Sequence, residues 1–168
     1  NGLAVDPTAP SRIFWGVCGA SGIGVYRSSD YGASWEPSLA SAMPCVFDVA
    51  ISATGDVYAA GVKGTPALFI SRDHGMSWTE LKRFASGQTC EAIAIDPSDP
   101  SHLAVGVVQW GEGSGGQIWH SADGGKAWTD LTAGLPENSG PAAMAFDPRR
   151  QRLYVLLYAG SVYSRSVQ

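Results

Sequence analysis

One pattern, Ser-x-Asp-x-Gly-x-x-Trp, occurs three times in this chain: Ser28-Ser29-Asp30-Tyr31-Gly32-Ala33-Ser34-Trp35, Ser71-Arg72-Asp73-His74-Gly75-Met76-Ser77-Trp78 and Ser121-Ala122-Asp123-Gly124-Gly125-Lys126-Ala127-Trp128. The copies begin 43 and 50 residues apart, which is the length of one blade in a radially repeated all-β architecture. Each fixed position suits a tight hairpin turn. The Asp (Asp30, Asp73, Asp123) can accept from backbone N–H groups just ahead of it, and the Ser (Ser28, Ser71, Ser121) can tie down the other side. The Gly (Gly32, Gly75, Gly125) can take positive φ. The Trp (Trp35, Trp78, Trp128) is expected to fold back across its own hairpin as an apolar cover.

The segments between the boxes align as strands. First strands read as residues 2–6, 46–52, 91–96 and 142–147, three of them ending in Asp-Pro (Asp6-Pro7, Asp96-Pro97, Asp147-Pro148), where proline stops the ladder. Apolar residues recur with a period of two at Leu3, Val49, Ile93 and Met144 and at Val5, Ile51, Ile95 and Phe146. Second strands read as 12–17, 56–61, 102–107 and 152–157, and third strands as 24–28, 67–71, 117–121 and 161–165. An aromatic column, Tyr26, Phe69, Trp119 and Tyr163, reads as packing between blades. Short fourth strands follow the three boxes. The fourth copy departs from the pattern: Arg165 stands for the box Ser and Val167 for its Asp.

The repeated motif resembles the Asp-box, or bacterial neuraminidase repeat, of sialidase-like, xyloglucanase-like and sortilin-like β-propellers and of photosystem assembly factors. The resemblance implies a propeller whose boxes lie at the blade periphery, away from the ligand face. The expected fold is an all-β, propeller-type array of about four four-stranded blades, the last lacking its outer strand. It forms a single domain over residues 1–168 with units 1–39, 40–84, 85–136 and 137–168. Three arrangements accommodate the short last unit: a fragment of a longer protein, a half-ring that dimerises, and a compact four-unit ring. Exposed apolar blade faces favour self-association, a homo-oligomer and a dimer first of all.

Charged residues are only 15% of the chain and glycines number 21, which suits short strands and many tight turns. The net charge of −4 without basic clusters excludes nucleic acid and anionic membranes as partners. No stretch approaches the roughly 20 apolar residues of a membrane helix, and the family resemblance implies a secreted or periplasmic setting. Cys18, Cys45 and Cys90 lack a metal-ligand spacing. A bridge between blades is open to Cys18 and Cys45, but the favoured reading makes all three small buried hydrophobes. No metal or cofactor is expected.

The face where second strands run into third strands, and fourth into first, is the expected ligand face. Its longest connection is 108–116, where Trp110 can stack on a sugar ring while Gln109 and Glu112 bond its hydroxyls. Glu91, Asp48 and Glu112 are the candidate carboxylates for a hydrolase, which needs an acid and a nucleophile or base. His74 is expected to face solvent. Sialidase activity implies an arginine cluster, a Tyr–Glu nucleophile pair and an Arg-Ile-Pro motif. Here Ser11-Arg12-Ile13-Phe14 replaces the proline, and Arg27, Arg72, Arg83, Arg149, Arg150, Arg152 and Arg165 fall in strands or peripheral turns, so that activity is rejected. The favoured function is a non-catalytic binding or scaffold module for a carbohydrate, with a protein ligand also open. A xyloglucanase-like glycoside hydrolase domain or half-domain and a purely structural, self-assembling repeat unit are the alternatives.

Overall fold

A computed structural model describes residues 2–19, 24–39, 43, 45–110 and 115–167. The described residues form four antiparallel sheets and no helix. The first blade is β1 (Leu3–Val5), β2 (Ile13–Val17), β3 (Gly24–Ser28) and β4 (Glu36–Leu39). The second is β5 (Cys45–Ile51), β6 (Val57–Lys63), β7 (Thr65–Ser71) and β8 (Thr79–Arg83). The third is β9 (Gln88–Ile95), β10 (Leu103–Gln109), β11 (Gly115–Ser121) and β12 (Thr129–Asp130). The fourth has β13 (Pro141–Asp147), β14 (Arg152–Leu157) and β15 (Val162–Ser166), with no fourth strand among the described residues. Each sheet runs in simple sequence order. The all-β, bladed architecture expected from the repeats is therefore the one observed.

The Asp-Pro corners close the turns between first and second strands. The buried Asp6 accepts from Thr8 N at 2.8 Å, Thr8 Oγ1 at 2.6 Å and Arg12 Nε at 2.9 Å. Asp96 accepts from Ser98 N and Oγ in the same way. The second blade, which lacks the Asp, uses Ser52, whose hydroxyl accepts from Asp56 N at 3.0 Å.

All three boxes build one hydrogen-bonded turn between the third and fourth strands. In the first, Ser28 Oγ donates to Asp30 Oδ1 at 2.8 Å and accepts from Gly32 N at 2.8 Å, while Ser34 N donates to Asp30 Oδ1 at 2.9 Å. Ser71, Asp73, Gly75 and Ser77 repeat this set, as do Ser121, Asp123, Gly125 and Ala127. Two consecutive residues take positive φ in each turn: Tyr31 and Gly32, His74 and Gly75, Gly124 and Gly125. The cost of a left-handed Tyr or His is offset by the fixed Asp and Ser bonds.

Those bonds hold the carboxylates ionised. The Ser34 hydroxyl above all lowers Asp30 to about 2, the Ser77 hydroxyl lowers Asp73 further, and the Ala127 amide leads the lowering of Asp123. A carboxyl more acidic in the folded than in the unfolded chain stabilises above the ordinary value and ceases to do so as pH falls through its folded value. The melting temperature is thus expected to decline as pH falls from the ordinary carboxylate value of 3.8 toward the folded value of about 2, and to decline less steeply in D73N. Thermal unfolding followed by circular dichroism across that range checks it; parallel curves for the two proteins would refute it.

The core lies between blades, because the central strands β6 and β10 of the second and third blades bury both faces. Along β6, Val57 and Ala59 pack with Phe14 and Val25 of the first blade, while Tyr58 and Ala60 pack with Ile93, Leu103 and Val105 of the third. The third and fourth blades meet through Ala94, Ala104 and Ile118 against Leu153, Val155 and Leu157. Phe69, Trp119 and Tyr163 of the aromatic column sit in these seams, as the sequence implies. Lys82 extends over the second seam, its Nζ 4.2 Å from the Trp119 ring, and burial lowers its pKa.

Three expectations need correction. The box tryptophans do not merely cover their own hairpins: Trp78 packs on the core shared with the first blade and donates to its Ser38 Oγ at 3.0 Å, and Trp128 packs on the core shared with the second. They span seams because the turn lies against the preceding blade. Cys18 and Cys45 are not separate hydrophobes but a disulfide, joining the end of β2 to the start of β5 with Cα atoms 4.1 Å apart. Only Cys90 is the buried free thiol expected, its pKa raised by burial and by the Asp48 and Glu91 charges. His74 does not simply face solvent: its Nδ1 lies 3.7 Å from Asp6 Oδ2.

Candidate functional site

The innermost strands carry the same irregularity in three blades. One residue is left unpaired between Val46 and Asp48 in β5, between Cys90 and Ala92 in β9, and between Pro141 and Ala143 in β13. The extra residues are Phe47, Glu91 and Ala142. A bulge bends the strand and re-aims its side chain, and only at Glu91 does it present a carboxylate.

Glu91 is the centre of a polar and aromatic cluster. Its Oε1 accepts from Thr89 Oγ1 at 2.7 Å and from Trp110 Nε1 at 3.1 Å, and its Oε2 accepts from Tyr158 OH at 2.6 Å. Thr89 reaches it because residues two apart on a strand share a face. Trp110 follows the end of β10, and Tyr158 follows the end of β14, so the second-to-third-strand connections of two neighbouring blades converge on one carboxylate. Their rings meet edge to face with centroids 5.1 Å apart. Both remain half-exposed, Trp110 at 54%, so each keeps apolar surface for a ligand.

Among the described residues Glu91 has no cationic partner. All its bonds come from neutral donors. The Tyr158 hydroxyl is held as a donor: burial, then the Glu91 bond and charge, push its pKa up to about 12. Arg12, the only arginine in a motif like that of sialidases, sits at the other end of its blade in an ion pair with Asp6.

The other sequence candidates fall out differently. Asp48 has both carboxylate oxygens bound to backbone amides. Its Oδ1 accepts from its neighbour Val49 N and its Oδ2 from Ile93 N of the next blade, both at 2.9 Å. It is a strand-to-strand clamp, and burial raises its pKa against those two bonds. Gln109 ends β10 opposite Gln88 and Gly115, outside the Glu91 hydrogen bonds. The connection expected over 108–116 is shorter, because β10 runs to Gln109 and β11 begins at Gly115. Glu112 lies outside the described residues.

Thr89 and Tyr158 are not among the residues that the sequence singles out. A signal for Tyr158 exists: it is the aromatic residue directly after the second strand of its blade, as Trp110 is in the third. Among the described residues no group of three or more His, Cys, Asp or Glu side chains is placed to hold a metal.

No protein-family model matches the sequence, and no curated protein matches it either. Solved structures do match in shape. The GH74 xyloglucanase of Xanthomonas campestris is 21% identical with a TM-score of 0.75, over 96% of this chain and 27% of that one. The GH74 enzyme of Niastella koreensis is 16% identical with a TM-score of 0.73, over 96% and 28%. YCF48 bound to D1 peptide is 16% identical with a TM-score of 0.59, over 98% and 49%. This chain thus spans about a quarter of the xyloglucanase chains and about half of YCF48. At such identities the likeness concerns the fold, and with four consecutively packed antiparallel sheets it identifies the chain as a β-propeller structure.

Proposed function

We propose that this chain is a non-catalytic, Asp-box-type propeller module that binds a carbohydrate at the Trp110–Glu91–Tyr158 cluster. The observation that carries the reading is the convergence of two half-exposed aromatic rings and an unneutralised carboxylate from two adjacent blades. An aromatic face stacks on the C–H face of a sugar ring, and a carboxylate with free lone pairs accepts from its hydroxyls. The likeness to xyloglucanases adds a neighbour class that acts on a polysaccharide. The Cys18–Cys45 bridge favours an oxidising, secreted or periplasmic setting.

A hydrolase has less support. It requires two available carboxylates on either side of a glycosidic bond, and Asp48 has both oxygens committed to backbone amides.

A glycan array followed by calorimetric titration tests the proposal. A soluble β-glucan or xyloglucan oligosaccharide is expected to bind, and W110A is expected to weaken binding about tenfold or more, the loss of roughly 1.4 kcal/mol of stacking. Glu91→Gln should weaken binding while leaving the thermal unfolding curve in place. No glycan bound, or affinity unchanged in W110A, would overturn the site.

A further inference from the structure

The hydrogen-bond donors around Glu91 are spent within the protein. The Thr89 hydroxyl donates to Glu91 Oε1 at 2.7 Å and the Tyr158 hydroxyl to Glu91 Oε2 at 2.6 Å. The Trp110 indole N–H is shared between Thr89 Oγ1 at 3.0 Å and Glu91 Oε1 at 3.1 Å. The backbone amides of the turn that carries Tyr158 are committed as well: Tyr158 N donates to Gly140 O, Ala159 N to Ser139 Oγ and Gly160 N to Leu157 O. Among the described residues, the cluster therefore has acceptors to offer a ligand and no donor.

What it offers is uniformly electron-rich. A carboxylate has about four lone-pair positions, and three on Glu91 are taken, which leaves one on Oε2. The Tyr158 and Thr89 oxygens keep lone pairs of their own. The two ring faces carry the negative side of an aromatic quadrupole. We infer that the saccharide bound at this cluster is an amino sugar, whose protonated primary amine sits against Glu91 and the faces of Trp110 and Tyr158. The inference rests on the carbohydrate reading and names the class of sugar.

The choice follows from matching donors to acceptors. A sugar hydroxyl both donates and accepts, so a neutral sugar would lose the hydration of its oxygens against a surface with no donor to replace it. An ammonium has three donors and no acceptor. Its bond to a carboxylate is charge-assisted, roughly twice as strong as a neutral one, and a cation within about 6 Å of a ring centroid is attracted to the ring face. The chain does not supply that cation itself: among the described residues Arg12 pairs with Asp6, Arg27 with Glu36 and Arg83 with Glu80, and Lys82 lies over Trp119. The Tyr158 hydroxyl keeps its proton and so goes on holding the carboxylate in place. A sugar ring fits better than an isolated amine because Trp110 and Tyr158, 54% and 51% exposed and inclined at 62°, offer more apolar surface than one ammonium covers.

The test uses three tetrasaccharides of one β-linkage, built from glucose, N-acetylglucosamine or glucosamine, which differ only in carrying a hydroxyl, an acetamide or an ammonium on the second carbon. Calorimetric titration at a pH that keeps the amines protonated should find the glucosamine tetramer bound about tenfold or more tighter than the other two. Glu91→Gln should reduce that preference to about twofold or less. Glu36→Gln, which removes the same charge from the outer strand of the first blade, should leave it intact. Equal affinity for all three sugars would overturn this inference and leave the carbohydrate reading standing, whereas no binding by any would overturn both. A preference that survives Glu91→Gln, or falls equally in Glu36→Gln, would be general attraction of a polycation to an acidic chain and would overturn the inference too. An acetylated lysine amide, the same ammonium without a sugar ring, should bind at least about tenfold more weakly than the glucosamine tetramer. Equal binding would assign the cluster to protein amines and overturn both readings.

Discussion

Replacing Gly75 with alanine is expected to destabilise the chain by about 2–4 kcal/mol, whereas the same change at Gly32 costs only about 1 kcal/mol. Both glycines hold nearly the same backbone, with φ of 84° and 88°. Both substitutions therefore incur the strain of a left-handed residue. They differ in what the new methyl would meet. At Gly75 it would lie 2.6 Å from Phe14 Cε1 and 2.8 Å from Ser38 Oγ, and Phe14 is fully buried between the first two blades. At Gly32 the nearest atom is 3.6 Å away, in ordinary contact. Overpacking of a buried ring supplies the difference. Urea unfolding of the two variants at equal concentration measures it; equal losses would show that the box glycine serves the turn alone.

Reducing the Cys18–Cys45 bond is expected to cost about 3.5 kcal/mol, from the unfolded-state entropy of a loop closed by residues 27 apart. For a chain of this size that corresponds to roughly 7–14 °C in melting temperature. The bond joins the first two blades across their seam, so its loss loosens the first blade from the second. Thermal unfolding of C18S/C45S and of the reduced protein should agree. Thiol titration in denaturant should find one group before reduction, Cys90, and three after. An unchanged melting curve, or three thiols from the start, would refute the bridge.

The box turns show why the fold is legible in the order of residues. Their bonds run between residues two to four apart, so residue type and spacing suffice to specify them. The Asp-Pro corners are local in the same way, and the period-two columns set which residues face a seam. Glu91 stands out along the chain as a carboxylate near an inner strand, but its partners Trp110 and Tyr158 are 19 and 67 residues away. Asp48 is alike in this: Ile93 N, which donates to its Oδ2, belongs to another blade.

What the sequence alone determined is therefore the repeat unit, its strands, its turns and the apolar character of both faces of each blade, because all of these rest on short-range spacing. What the tertiary structure decided is how units meet. The box tryptophan at Trp78 bridges to the preceding blade, two cysteines are brought within bonding reach, and a bulge turns Glu91 toward aromatic residues of two neighbouring connections. Those facts depend on the angle and separation between sheets, which follow from side-chain packing in the seams and have no signature in the spacing along one strand.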